Sequence, residues 1–110
     1  MVETINFREF YQKKPIPIHP NDRLAIQNES NCVDIFQHFT HWLIALEGNE
    51  FTRGQCQWRV LIYPSDEGGG FNYWLPFFRT SYLASFHEAL EILKEFESKA
   101  NQDQLMTIQR

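Results

Sequence analysis

The chain has 110 residues and a mass of 13.1 kDa, with 43% hydrophobic and 22% charged residues. This length fits one domain, residues 1–110, which can bury a hydrophobic core without disulfides or metals for support. The net charge of −4 is spread along the sequence without charged blocks, so the protein as a whole does not attract nucleic acid or an anionic membrane. No stretch of the sequence is long and apolar enough to span a membrane.

Residues 1–20 predict an N-terminal arm that lies across the domain. The aromatic residues of the segment 6–11 have helical spacing, and the prolines of the segment 15–20 then impose an extended path. This composition favours packing on the core and also suits a segment that docks on a partner. Residues 24–26 predict a short strand.

A long amphipathic helix is predicted over residues 31–47. Its apolar positions recur at intervals of four and three residues, which places them on one face of a helix. These positions are Cys32, Phe36, Phe39, Leu43 and Leu46. Gly48 stands where a C-terminal cap belongs.

The opposite face of this helix carries the weak candidates for a metal site. Asp34, His38 and His41 are separated by four and three residues, a spacing that can bring a carboxylate and two imidazoles to one divalent cation. No fourth ligand and no known metal motif accompanies them. The pattern favours a solvated polar face, with a metal-dependent enzyme as an alternative.

The most informative segment runs from Trp58 to Phe86, because it contains nine of the seventeen aromatic residues. Residues 55–63 and 71–78 have the composition of two strands, which predicts a β-hairpin over about 55–78 with a mobile, glycine-containing loop between them. Pro76 cannot donate to a strand ladder, so the second strand lies at an edge or ends there.

One face of this hairpin is apolar, and the alternate positions of the other face predict a surface that binds a partner. Its residues are Arg59, Tyr63, Phe71, Tyr73, Trp74, Phe77, Phe78 and Arg79. Aromatic rings beside arginines also suit a small planar ligand or single-stranded nucleic acid, which is the alternative for this surface. A one-residue change of register would exchange the two faces.

A second helix is predicted over residues 86–100. Ser85 and Glu88 have the spacing of a capping box, and the apolar residues that follow recur on one helical face. Residues 102–110 are mostly polar and predict a flexible tail.

The segment from Trp58 to Ala100 resembles HicB-type antitoxins in its order of strand, glycine-containing turn, strand and Ala-Leu-rich helix. The chain departs from that family in the long helix predicted before the hairpin. It also departs at Phe77-Phe78, where the family has Gly-Cys after the Leu-Pro of the second strand. The resemblance does not assign the chain to the family, and by analogy it implies a role in protein binding.

The sequence therefore predicts an α+β domain with a small antiparallel sheet and two main helices packed on one face. We expect a non-catalytic protein-interaction or regulatory module that binds another protein or forms a homodimer, without a cofactor and without membrane contact. Cys32 and Cys56 do not form a C-x-x-C pair, and the N-terminus lacks the features of a signal peptide, which predicts a cytoplasmic location.

Overall fold

The computed structural model describes residues 8–28, 39–52 and 54–107 of the chain. The strands are β1 (Arg8–Gln12), β2 (Ile16–Pro17), β3 (His41–Thr52), β4 (Gln55–Ser65) and β5 (Phe78–Arg79). The helices are α1 (Pro20–Asn28) and α2 (Phe86–Asn101), and a 3-10 helix follows at Leu105–Thr107. The predicted α+β class is confirmed, with one antiparallel five-stranded sheet and two helices. Neither helix of the described chain is long and apolar enough to cross a membrane.

The centre of the sheet is a long hairpin between β3 and β4. The strand order is β1-β3-β4-β5, and β2 also pairs with β3. The predicted strand at 55–63 is therefore confirmed as part of β4, but its hairpin partner is β3 and not residues 71–78. The segment 71–78 reaches the sheet only at its end, where Phe78 pairs with Ile62.

The prediction of a helix over residues 31–47 is wrong at 41–47, which belong to β3, while residues 31–38 lie outside the described part of the chain. The apolar run 42–46 is buried throughout, because both faces of the strand are covered. Such a run lacks the alternation of a half-buried strand and cannot be distinguished from a buried helix by periodicity. The segment 24–26, predicted as a strand, belongs to α1.

The arm predicted at residues 1–20 is paired with the sheet over its described part. β1 runs antiparallel to residues 45–49 of β3, and β2 pairs with the start of the same strand. The helical spacing predicted for residues 6–11 is wrong over 8–11, which are extended. Ile16 and Ile18 are buried in the core, as expected from packing.

The main core lies between the helices and one face of the sheet. β3 contributes Trp42, Ile44 and Leu46 to this face, and β4 contributes Val60 and Ile62. The predicted helix at 86–100 is confirmed as α2, whose buried residues Ala89, Leu93, Phe96 and Ala100 recur at intervals of three and four. Its N-cap is Ser85, whose hydroxyl accepts a hydrogen bond from the Glu88 backbone at 3.2 Å.

A close contact between backbone and ring joins the two central strands. Gly48 of β3 lies opposite Trp58 of β4, and a Cβ at Gly48 would fall 2.3 Å from the indole ring. Trp58 also meets Phe86 at a centroid distance of 4.8 Å. A glycine is therefore required at this point of the strand, because the ring occupies the space of its side chain.

Two aspartates connect helix α1 to the segment 103–106. Each of them accepts hydrogen bonds from backbone N–H groups of the other's segment. Asp103 accepts hydrogen bonds from the backbones of Asn21 and Asp22, both at 2.8 Å. The buried Asp22 carboxylate accepts from Leu105 at 3.0 Å and Met106 at 2.9 Å. Leu105 is itself fully buried. The tail predicted at 102–110 is thus packed on the domain over 102–107.

Candidate functional site

A second apolar cluster lies on the sheet face that points away from the helices. Its buried members are Leu43, Ala45, Leu61 and Tyr63. Phe10 from β1 and Phe71 and Tyr73 from the β4–β5 connection pack over them. We call this layer the aromatic cover and define it as Phe10, Phe71 and Tyr73.

The rings of the aromatic cover contact one another as well as the sheet. Phe10 stacks on Phe71 with centroids 5.9 Å apart, and it meets Tyr73 edge to face at 5.4 Å. Phe71 reaches the ring of Tyr63 at 4.7 Å. These separations are typical of favourable aromatic pairs, so the cover is a packed layer on the second face.

A buried charge lies beneath this cover. Glu47 of β3 is completely buried, and its Oε1 accepts a hydrogen bond from Arg59 Nε at 2.7 Å. The Tyr73 hydroxyl donates to the other carboxylate oxygen. The Arg59 guanidinium lies over the Tyr82 ring, 4.6 Å from its centre. The carboxylate is satisfied on both oxygens, and the guanidinium is held in one orientation.

The connection between β4 and β5 is shaped by two polar side chains. Asp66 Oδ1 accepts from the Gly70 backbone at 2.8 Å, and a Cβ at Gly70 would fall 2.6 Å from the other carboxylate oxygen. Asn72 Oδ1 accepts from Trp74 N, and the Asn72 carbonyl accepts from Leu75 N, both at 3.0 Å. These bonds define a turn at 72–75, which we call the tryptophan turn.

The tryptophan turn presents two large apolar side chains to solvent. Trp74 is 78% exposed and Leu75 is 54% exposed. Their neighbour Tyr73 is half-buried in the aromatic cover, and its ring meets the Trp74 indole at a centroid distance of 4.9 Å. The Tyr73 carbonyl accepts a hydrogen bond from the Tyr63 hydroxyl at 3.0 Å. The exposure of Trp74 and Leu75 thus follows from a turn that is anchored on the sheet.

Two depressions border the tryptophan turn. The first is a cavity of about 130 Å³ lined by Arg59, Leu61, Tyr63, Tyr73, Trp74, Pro76 and Arg79. The second is an open groove of about 470 Å³ lined by Trp74, Leu75, Pro76, Phe77, Phe78 and Arg79. Trp74, Pro76 and Arg79 line both depressions.

The predicted partner-binding residues lie at different depths. Trp74 and Arg79 are exposed, whereas Arg59, Phe71, Tyr73, Phe77 and Phe78 are half-buried. The exposure predicted for Tyr63 is wrong, because the aromatic cover buries it completely. Five of the eight predicted residues nevertheless meet at the 130 Å³ cavity.

Phe77 and Phe78 depart from the predicted common face. Phe77 packs on Trp42 at a centroid distance of 5.5 Å, and Phe78 packs on Phe96 of α2 at 5.8 Å. Both rings therefore contact the helix-side core, because the chain crosses the sheet edge after Pro76.

Sequence reasoning missed Glu47 and Tyr82. Glu47 fell within the predicted helix, and its role depends on its position opposite Arg59 in the β3–β4 register. A signal was available, since a carboxylate and a guanidinium at facing strand positions form a favourable cross-strand pair. That signal appears only once residues 41–52 are read as a strand.

The candidate metal ligands are not brought together within the described structure. Asp34 and His38 lie outside the described residues, and His41 opens β3 with its Nδ1 2.7 Å from the Thr40 hydroxyl. Residues 8–28, 39–52 and 54–107 hold no group of three side chains suited to a metal ion.

Comparisons with models of protein families, with curated proteins and with solved structures find no match to this chain. The arguments for its function therefore rest on its own residues and geometry.

Proposed function

We propose that this protein is a non-catalytic interaction module that binds another protein, or a second copy of itself, through the tryptophan turn. The observation that carries the proposal is the adjacent exposure of Trp74 and Leu75 on a hydrogen-bonded turn. Burial of such side chains against a partner is favourable by about 25 cal/mol per Å² of apolar surface. Because hydrogen bonds to Trp74 N and Leu75 N already order the turn, its backbone loses less conformational entropy on binding.

The groove beside the turn supports the same function. It continues the apolar surface from Leu75 to Phe78, and the charged Arg79 lies at its border. Protein interfaces commonly combine an apolar, aromatic centre with a polar rim, and tryptophan is frequent among the residues that dominate their affinity. The groove and the turn together offer that arrangement.

The test is a double variant, Trp74→Ser with Leu75→Ser, compared with Leu24→Ser. Leu24 is 59% exposed on α1, so its replacement removes apolar surface of similar exposure from another part of the molecule. The oligomeric state is measured by analytical ultracentrifugation, and partners retained from the host are measured by native mass spectrometry.

We expect the double variant to lose a dimer or a defined partner that both the parent and the Leu24→Ser control retain. Circular dichroism must show that the double variant is folded. If the folded double variant keeps every association of the parent, the proposed contact surface is wrong.

The alternative of single-stranded nucleic acid has less support. The Arg59 guanidinium already forms an ion pair with Glu47, and the rings of Phe71 and Tyr73 are packed within the aromatic cover. Only Trp74 and Arg79 of the predicted set then remain exposed for stacking and phosphate contact. A steep decrease of affinity with salt would favour nucleic acid over a protein partner.

The proposed place of action is the cytoplasm. Cys56 is a free, half-buried thiol, and reduced cysteines are usual in proteins of that compartment.

A further inference from the structure

The cavity on the second face brings two guanidinium groups together. Leu61 of β4 pairs with Arg79 of β5, and Arg59 lies two residues from Leu61 on the same face. The two arginines are therefore diagonal neighbours across adjacent strands, and both line the cavity. Like charges in such positions repel each other.

One carboxylate offsets these two positive charges. Glu47 forms an ion pair with Arg59, whereas Arg79 forms no ion pair with the side chains that the structure describes, those of residues 10–28, 39–50 and 54–107. Among the side chains that the structure describes, two guanidinium groups and one carboxylate therefore lie at or beside the cavity, which is a local excess of one positive charge. An anion that enters it would neutralise this excess.

The Arg59 guanidinium is prepared for such an anion. Its Nε donates a hydrogen bond to Glu47, and its planar face lies over the Tyr82 ring. Its terminal N–H groups form no hydrogen bond with the described residues. A guanidinium held in this way can bind a carboxylate through its remaining donors without further loss of side-chain freedom.

The size and walls of the cavity restrict what it can bind. Its volume of about 130 Å³ is close to that of an engineered cavity of about 150 Å³ that binds benzene. The rings of Tyr73 and Trp74, 4.9 Å apart and nearly perpendicular, offer a face and an edge to a flat group. A single ring fits this space.

From these observations we propose that the cavity is a binding site for a small planar carboxylate, namely one ring or a similarly flat group that bears one carboxylate. The carboxylate lies between Arg59 and Arg79, and the flat group lies against Tyr73 and Trp74. This site goes beyond the proposed protein contact, since it binds its ligand beneath the tryptophan turn and not on its outer surface. The carboxylate can belong to a free acid or to the end of a peptide chain.

The proposal is tested by titrating the full chain with benzoate and following backbone amide shifts by NMR. We expect saturable shifts at residues around the cavity with a Kd of about 1 mM or tighter. Benzamide, which has the same shape without the charge, is expected to bind at least about tenfold more weakly. Arg79→Gln is expected to weaken benzoate by about tenfold, whereas Arg23→Gln on α1 leaves it unchanged.

Equal binding of benzoate and benzamide, an unaffected Arg79→Gln variant, or shifts confined to other parts of the molecule would overturn the proposal. N-acetylphenylalanine and its amide distinguish the two sources of the carboxylate. A carboxylate-dependent affinity above that of benzoate indicates a chain end, and an affinity below it indicates a free acid. Failure of both acids to bind refutes this site without affecting the partner test, which depends on the Trp74 and Leu75 variants.

Discussion

Replacing Arg59 by methionine is expected to destabilise the protein more than replacing its partner Glu47 by glutamine. The two sides of this ion pair differ in burial, since the Glu47 side chain is 0% exposed and the Arg59 side chain is 18% exposed. Arg59→Met leaves a carboxylate deep in the sheet with the Tyr73 hydroxyl still bound to it. Glu47→Gln leaves a guanidinium that water reaches and that still lies over Tyr82.

The magnitudes follow from this difference. Loss of one partner of a buried ion pair costs about 3–5 kcal/mol, and the remaining Tyr73 hydrogen bond places Arg59→Met near the lower value, about 3 kcal/mol. Glu47→Gln is expected to cost about 1–2 kcal/mol, because the residual charge is partly solvated. The double variant Glu47→Gln with Arg59→Met contains no unpaired buried charge, so we expect it to be more stable than Arg59→Met alone by about 1–2 kcal/mol.

The assay compares four proteins at pH 7, namely the parent, the two single variants and the double variant. Each is unfolded by urea and, in a parallel experiment, by heat, and unfolding is monitored by far-UV circular dichroism. A loss of about 3 kcal/mol corresponds to a decrease of about 12 °C in Tm for a domain of this size. Arg79→Met is the matched control, because it removes an exposed arginine from the same sheet face and is expected to change stability by no more than about 0.5 kcal/mol. If the two single variants cost the same and their effects add in the double variant, the argument from unequal burial is refuted.

Three further changes test the packing around this sheet. Gly48→Ala is expected to cost about 2–3 kcal/mol by thermal melting, because its Cβ would meet the Trp58 ring at 2.3 Å. Gly68→Ala is its control and should cost under about 1 kcal/mol, because its Cβ would make an ordinary van der Waals contact with Asp66 Oδ1 at 3.6 Å. Similar losses for the two variants would contradict this reasoning. Asp22→Ala is expected to cost about 2–3 kcal/mol and to increase amide hydrogen exchange in the 3-10 helix, because it removes the acceptors of Leu105 N and Met106 N. Unchanged hydrogen exchange would show that Asp22 does not cap this helix. Ser85→Ala should cost about 1 kcal/mol through loss of the α2 N-cap, and an unchanged urea midpoint would show that the cap contributes nothing.

The elements predicted correctly are those whose signals are local. Helix α2 combines a capping residue, Ser85, with apolar residues at helical spacing, and both features lie within one segment of the sequence. Strand β4 was predicted because the polar residues Gln57 and Arg59 alternate with Trp58 and Val60 in its first half. No distant partner is needed to recognise either pattern.

The elements predicted wrongly depend on residues far away in the sequence. Strand β3 is apolar on both faces because Phe10, Phe71 and Tyr73 cover the side opposite the helices, and this second layer cannot be read from residues 41–52. The same layer buries Tyr63, which was expected at the surface. Alternation identifies a strand only where polar residues mark one of its faces, as they do in the first half of β4 and not in residues 42–46 of β3.

The residues of the candidate site were largely predicted from the sequence, but the contacts that position them were not. Aromatic residues and arginines were expected to form one recognition surface, and five of them meet at a cavity. The charge that orients Arg59 comes from Glu47, twelve residues earlier in the chain. The position of that carboxylate follows from the β3–β4 register, so the arrangement of the site is a tertiary property.

The contacts of Tyr73 and Asn72 account for the exposure of the Trp74 indole. Tyr73 is bound to the sheet through its hydroxyl on Glu47 and through its carbonyl, which accepts from Tyr63. These two contacts fix the chain on one side of Trp74, and Asn72 fixes the turn itself. The indole contacts the Tyr73 ring at a centroid distance of 4.9 Å and borders the cavity, while most of its surface stays in water. The buried ion pair and the exposed tryptophan are thus connected through Tyr73. The hydrogen bond of Tyr73 to the Glu47 carboxylate stabilises the position of the turn that carries the proposed contact surface.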